Sequence, residues 1–169
     1  MKHNHLRALI IRDSLLMAAT AALWACTLQF GAAGGAWPKL LGVLTGLMTV
    51  LMGYLLHEWG HLIGAWASGS VVHLPDGALS SAFLFRFDTG RNSREQFLAM
   101  SAGGFIASFV VVAALVLALP RGMLASYIAL GLTLLGVLAT FILEIPPAWK
   151  VWRGGAMPQG DAFVASPKE

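Results

Sequence analysis

The chain has 169 residues, 57% of them hydrophobic and only 11% charged, with a mean hydropathy of +0.73, whereas a water-soluble domain carries about a quarter charged residues. Its formal charge of +3 rests on basic residues that form no dense cluster, which argues against nucleic acid as a partner. The single cysteine, Cys26, excludes an internal disulfide and a paired-thiolate metal site.

The apolar residues gather into four runs of roughly the length, about 20 residues, that crosses a bilayer as a helix. The first, 14–37, follows a short basic start with Lys2, Arg7 and Arg12 and ends in a Gly/Ala stretch after Phe30. That stretch has the small residues of a signal-peptide cleavage region, and the expectation weighed against cleavage is a retained first span. The second run, 40–67, is followed by a polar loop, and the third and fourth, 97–119 and 123–145, are separated only by Pro120-Arg121-Gly122. So short a break predicts a tight antiparallel pair. The fold class expected is an all-α membrane protein of four transmembrane helices, forming one domain over 1–169, with a tail over 146–169.

In the loop, 71–74 and 78–87 flank Pro75-Asp76-Gly77, and Phe83, Phe85 and Phe87 alternate with Leu84 and Arg86, a pattern that predicts a short cytoplasmic β-hairpin between spans two and three. Ser93-Arg94-Glu95-Gln96 has the form of a capping box and marks a helix start. Gly42 and Gly46, Gly60 and Gly64, and Ala99, Gly103 and Ala107 recur at the spacing that lets membrane helices approach closely, although such pairs also arise by composition. The segment 158–169 reads as poorly ordered.

Orientation follows from charge. With the N-terminus inside, Lys2, Arg7, Arg12, Arg86, Arg91, Arg94, Lys150, Arg153 and Lys168 are inside and only Lys39 and Arg121 outside, which favours cytoplasmic N- and C-termini in a multi-pass protein of a bacterial inner membrane. Trp59, Trp66, Trp149 and Trp152 then fall near the cytoplasmic boundary as interfacial anchors.

Near the end of span two stands His57-Glu58-Trp59-Gly60-His61. Residues four apart share a helix face, so both imidazoles can address one ion while Glu58 projects beside them. Two histidine ligands suit Zn²⁺ and leave positions for a third protein ligand and a water, from which Glu58 can take a proton as general base. Ionisable groups are costly in a membrane helix, which weighs against an accidental match; the plain alternative is a helix end whose polar groups reach headgroup water.

The third ligand is expected at the same depth. At 1.5 Å per residue, His57 lies about 26 Å and His61 about 32 Å beyond Leu40, and Glu144 lies about 32 Å beyond Met123 on a span running the same way. Glu144 is therefore the first candidate, against the reading that it marks where span four leaves the bilayer before Pro146-Pro147. Asp161 is the alternative third ligand, His73 and Asp76 are weaker ones, and His3 and His5 read as terminal and solvated.

The motif, the helix end 62–69, and a loop leading to Ser101-Ala102-Gly103-Gly104-Phe105-Ile106-Ala107-Ser108 resemble the site-2 protease family of intramembrane zinc metalloproteases. The resemblance covers spans two to four. It implies a metalloendopeptidase in which His57, His61 and an acidic residue of a later span hold Zn²⁺, Glu58 activates water, and the substrate is a membrane-protein or peptide segment cleaved near the cytosolic side of the lipid bilayer. A Leu-Asp-Gly-type motif on the later span and a Gly-Pro near the start of the intervening one, both usual in the family, do not occur here, so Glu144 rests on depth. The alternative function is a metal-binding but non-proteolytic membrane adaptor or chaperone, and a plain helical interaction protein without metal is a third reading.

Overall fold

A computed structural model describes residues 2–31, 35–77, 80, 81 and 83–167. The central part of the cleavage-site expectation (32–34), residues 78, 79 and 82 of the second expected strand, Lys168 and the side chains of Lys2 and His3 lie outside the described residues.

Four helices form the body: α1 (Lys2–Phe30), α2 (Ala36–Ala67), α3 (Arg94–Ala118) and α4 (Leu124–Trp152). Each is long and apolar enough to cross a membrane; even α3, with 25 residues, is about 38 Å long against a hydrocarbon core of about 30 Å. The expected spans are found with shifted ends. The basic start already belongs to α1, and α4 does not stop at Pro146-Pro147 but runs through both to Trp152. Proline has no N–H to donate and its ring opposes the preceding turn, so the carbonyls of Ile142 and Leu143, just before Glu144, lack the amide donor four residues on.

α2 is the central helix. Small residues set its approach to its neighbours: a Cβ at Gly60 would run into Ala107 and the Gly103 carbonyl, and one at Gly64 into the Ala99 carbonyl. These pairs run in opposite order along the two chains, so α2 and α3 are antiparallel. On its other end Gly42 faces Leu124 and Ala125, and Gly46 faces Ile128, where an added Cβ would come within 2.7 Å, so α2 and α4 are parallel. The small-residue spacing is thus used for packing. α1 packs antiparallel on α2 through polar contacts: Trp24 Nε1 donates to Thr49 Oγ1 (2.9 Å), Thr27 and Thr45 hydroxyls meet at 2.7 Å, and Trp59 Nε1 donates to Asp13 Oδ2 (2.8 Å).

The capping box is present, with Ser93 Oγ accepting from Gln96 N and Gln96 Oε1 accepting from Ser93 N. The hairpin is shorter than expected. Only β1 (Val72–His73) and β2 (Arg86–Asp88) pair, antiparallel, with Val72 opposite Phe87. Residues 83–85 leave the ladder because Leu84 donates its N–H to Glu58 Oε2 instead (3.1 Å), and Leu84 and Phe85 are buried. The tail contributes a strand, contrary to expectation: β3 (Phe163–Val164) pairs parallel with β2, making a three-stranded sheet in the order β1-β2-β3. Asp88 pins it, its Oδ1 accepting from the Gly90, Arg91 and Ser166 amides and its Oδ2 lying 2.9 Å from His73 Nε2.

The sheet caps the helix bundle at one end. Leu62 and Ala65 of α2, Phe97 and Met100 of α3, Leu9 of α1 and Val151 of α4 bury against Leu84, Phe85 and Phe87. Burying each large apolar side chain there contributes about 1.5–3 kcal/mol. This core fixes the end of α2, the start of α3 and the end of α4 around one point.

Candidate metal centre

That point is occupied by His57, His61 and Glu144, the group of described residues whose ligand atoms all lie within 4.8 Å of one another. His57 Nε2 is 3.0 Å from His61 Nε2 and 3.3 Å from Glu144 Oε1, and His61 Nε2 is 3.2 Å from Glu144 Oε2.

The opposite ring atoms are tied to α3. His61 Nδ1 lies 3.0 Å from Met100 O, and His57 Nδ1 lies 3.1 Å from Gly104 O and 2.9 Å from Ser108 Oγ. A carbonyl only accepts, so Nδ1 carries the ring proton in both residues and each Nε2 presents a lone pair. Two lone pairs and a carboxylate at these distances repel one another. A single extra proton on His61 Nε2 relieves the contacts to His57 and Glu144 but leaves the third, between His57 and Glu144. A cation relieves all three. Bonds of about 2.0–2.1 Å around a tetrahedral Zn²⁺ place neighbouring ligands about 3.3 Å apart, close to the spacings here, so the residues present fit such an ion.

Glycine at 104 is a requirement of this packing, since a Cβ there would overlap the His61 ring. Glu58 is 7% exposed and held at Oε2 by the Leu84 amide (3.1 Å). Glu58, His61 and Glu144 together line a cavity of about 300 Å³ whose other walls include Ser101, Phe83, Phe85, Phe87, Phe97 and Phe163. The two carboxylates and the imidazole thus share a largely apolar space.

The remaining residues named from sequence stand elsewhere. Asp161 is exposed and borders a different cavity, with His73, Asp76 and Arg86; it does not join the histidines. His73 is engaged by Asp88. His5 is half-buried within α1 rather than terminal and solvated. Trp66, Trp149 and Trp152 are exposed as membrane anchors would be, whereas Trp59 is half-buried and bonded to Asp13. Several contributors escape a sequence reading: the Met100 and Gly104 carbonyls and the Leu84 amide are backbone atoms without a side-chain signature, and Asp13, beside Arg12 just before the first apolar run, gives no sign in the sequence that its carboxylate is buried.

No protein-family model, no curated protein and no solved structure matches this chain. The three-residue group and its surroundings are therefore the ground for a functional reading.

Proposed function

We propose that the chain is a metal-dependent intramembrane endopeptidase, akin in chemistry to the site-2 proteases, with zinc as the ion and membrane-protein or peptide segments as substrates. One observation carries the reading: two imidazoles fixed through Nδ1 and a carboxylate from another helix converge, and a second, buried carboxylate, Glu58, lines a largely apolar cavity together with His61 and Glu144. The distribution of Lys and Arg supports a cytoplasmic position for this end of the bundle and for both termini, in a bacterial inner membrane.

His57, His61 and Glu144 would hold a divalent cation, which would supply the Lewis acidity for activating water near neutral pH and polarising an amide carbonyl. Glu58 manages the proton. Its carboxylate takes a proton from the attacking water as the oxygen bonds to the carbonyl carbon, then delivers it to the amide nitrogen as the C–N bond breaks. The Leu84 amide keeps Glu58 oriented through both transfers. The aromatic walls exclude bulk water and accept the apolar side chains of an unwound segment. An extended substrate adds as a strand to an outer edge of the small sheet, at β1 or β3.

The test uses purified protein in liposomes with a reporter membrane segment. Glu58→Gln keeps the ligands and removes the base, so metal content is retained and cleavage falls by about 10²–10⁴-fold. Wild-type rates in Glu58→Gln would remove Glu58 from the mechanism. The rival reading, a metal-binding adaptor or chaperone, requires that metal-loaded wild type and Glu58→Gln bind partner spans equally and that neither cleaves them.

A further inference from the structure

α4 carries a stripe that the metal centre does not use. Thr133, Gly136, Val137 and Thr140 follow at steps of three and four, so they share a helix face, and that face borders a cavity of about 110 Å³ with Gly53 and His57 of α2 and Ser108 of α3. At Gly136 a Cβ would meet nothing within 4 Å, so α4 stands away from its neighbours there. This cavity and the aromatic one share no residue, His57 bordering the first and His61 the second.

Thr133 is 7% exposed, and its Oγ1 is buried with no hydrogen-bond partner among the described residues. The other buried threonines behave differently: Thr20, Thr45 and Thr49 each donate to the carbonyl four residues earlier, and the Thr27 hydroxyl pairs with that of Thr45. Hydrocarbon offers nothing to replace a lost partner, which makes an orphan hydroxyl near mid-bilayer costly. Across the cavity, Ser108 Oγ faces His57 Nδ1 at 2.9 Å. Accepting that ring proton leaves the Ser108 O–H to be donated.

From these groups we infer that the cavity is a hydration site within the bilayer, in which water bridges Thr133 Oγ1 and Ser108 Oγ and reaches the His57 side of the metal centre. Space is sufficient, since one water needs roughly 10–15 Å³. The occupant is water rather than an acyl chain because a lipid tail has no atom to satisfy either hydroxyl. The inference stands independently of the proteolytic reading, which merely gives the water a use, one molecule being consumed for each amide bond broken.

Water-edited solid-state NMR on the full chain in lipid bilayers, with ¹³C-labelled threonine, tests it without a chemical reagent having to enter. The Thr133 signal is assigned by its loss in Thr133→Val and, should that variant fold poorly, by its loss in Thr133→Ser, which keeps the hydroxyl. Magnetisation is expected to pass from water to Thr133 several-fold faster than to Thr45, which is fully buried and partnered. Equal, slow transfer at Thr133 and Thr45 overturns the inference. Metal content measured on the same samples separates the two proposals: fast transfer in a protein that binds no metal leaves the hydration site standing without the peptidase, and slow transfer in a metal-loaded, active protein does the reverse.

Discussion

The Nε2 atoms of His57 and His61 lie 3.0 Å apart while each ring has already committed its Nδ1 proton to a carbonyl of the neighbouring helix. The partners are Gly104 for His57 and Met100 for His61. Both pairs are four residues apart, in opposite order on antiparallel helices, so one turn of α3 reads one turn of α2. The motif on α2 supplies two of the three candidate ligand atoms, Glu144 of α4 the third, and α3 decides which nitrogen each ring presents.

This arrangement makes Gly104 the most sensitive small residue of the centre. In Gly104→Ala the new methyl overlaps the His61 imidazole, which has to swing away from Met100 O and from His57. Metal affinity is expected to fall by roughly 10- to 100-fold, as when an outer partner of a ligating histidine is lost, with the four helices retained by circular dichroism. Competition against a chelator of known affinity measures it.

Attachment of α1 rests partly on the Thr27–Thr45 hydroxyl pair, buried at 2.7 Å. Interhelical polar pairs in membrane proteins contribute about 0.6 kcal/mol on average and up to about 1.7. Thr27→Val and Thr45→Val should each weaken α1–α2 association, and the double variant should lose less than the sum of the two. A double-mutant cycle on unfolding in mixed micelles reads the coupling; strict additivity would show that the two hydroxyls act independently.

At the sheet, burial works to raise the Asp88 carboxyl, but hydrogen bonds from His73, Ser166 and the Arg91 amide outweigh it and hold the group well below the usual carboxylate range. A depressed folded value stabilises the docked tail fully above the unfolded value, about 3.9, and that stabilisation is lost progressively as pH falls from there through the folded value. Amide protection at Thr89 and Ser166, corrected for intrinsic exchange, should therefore stay level from pH 7 to about pH 4 and drop below it. Asp88→Ala should show the low-pH protection already at pH 7.

The spans and the centre were legible in the sequence for different reasons. Apolar runs of bilayer length announce helices regardless of what they pack against, and a constant rise per residue was enough to match Glu144 to the depth of His61. The ends were less legible. Pro146-Pro147 reads as a stop, yet α4 continues because the cost of two missing amide donors falls locally and the apolar residues on either side still pack as a helix. β3 is two residues long and its partner, Phe87, is more than seventy positions away, so no local pattern reveals it. Phe83 and Phe85 alternate as a strand would, but the Leu84 amide goes to Glu58, a competition between side chain and ladder that periodicity does not register.

The most direct measurement is the metal content of the purified protein beside His57→Ala, Glu144→Ala and Asp161→Ala, each in the same detergent with a divalent metal supplied and the excess removed. Wild type and Asp161→Ala should hold one ion per chain, with His57→Ala and Glu144→Ala losing it. A wild-type protein without an ion, or a Glu144→Ala variant that keeps it while Asp161→Ala does not, would contradict the account.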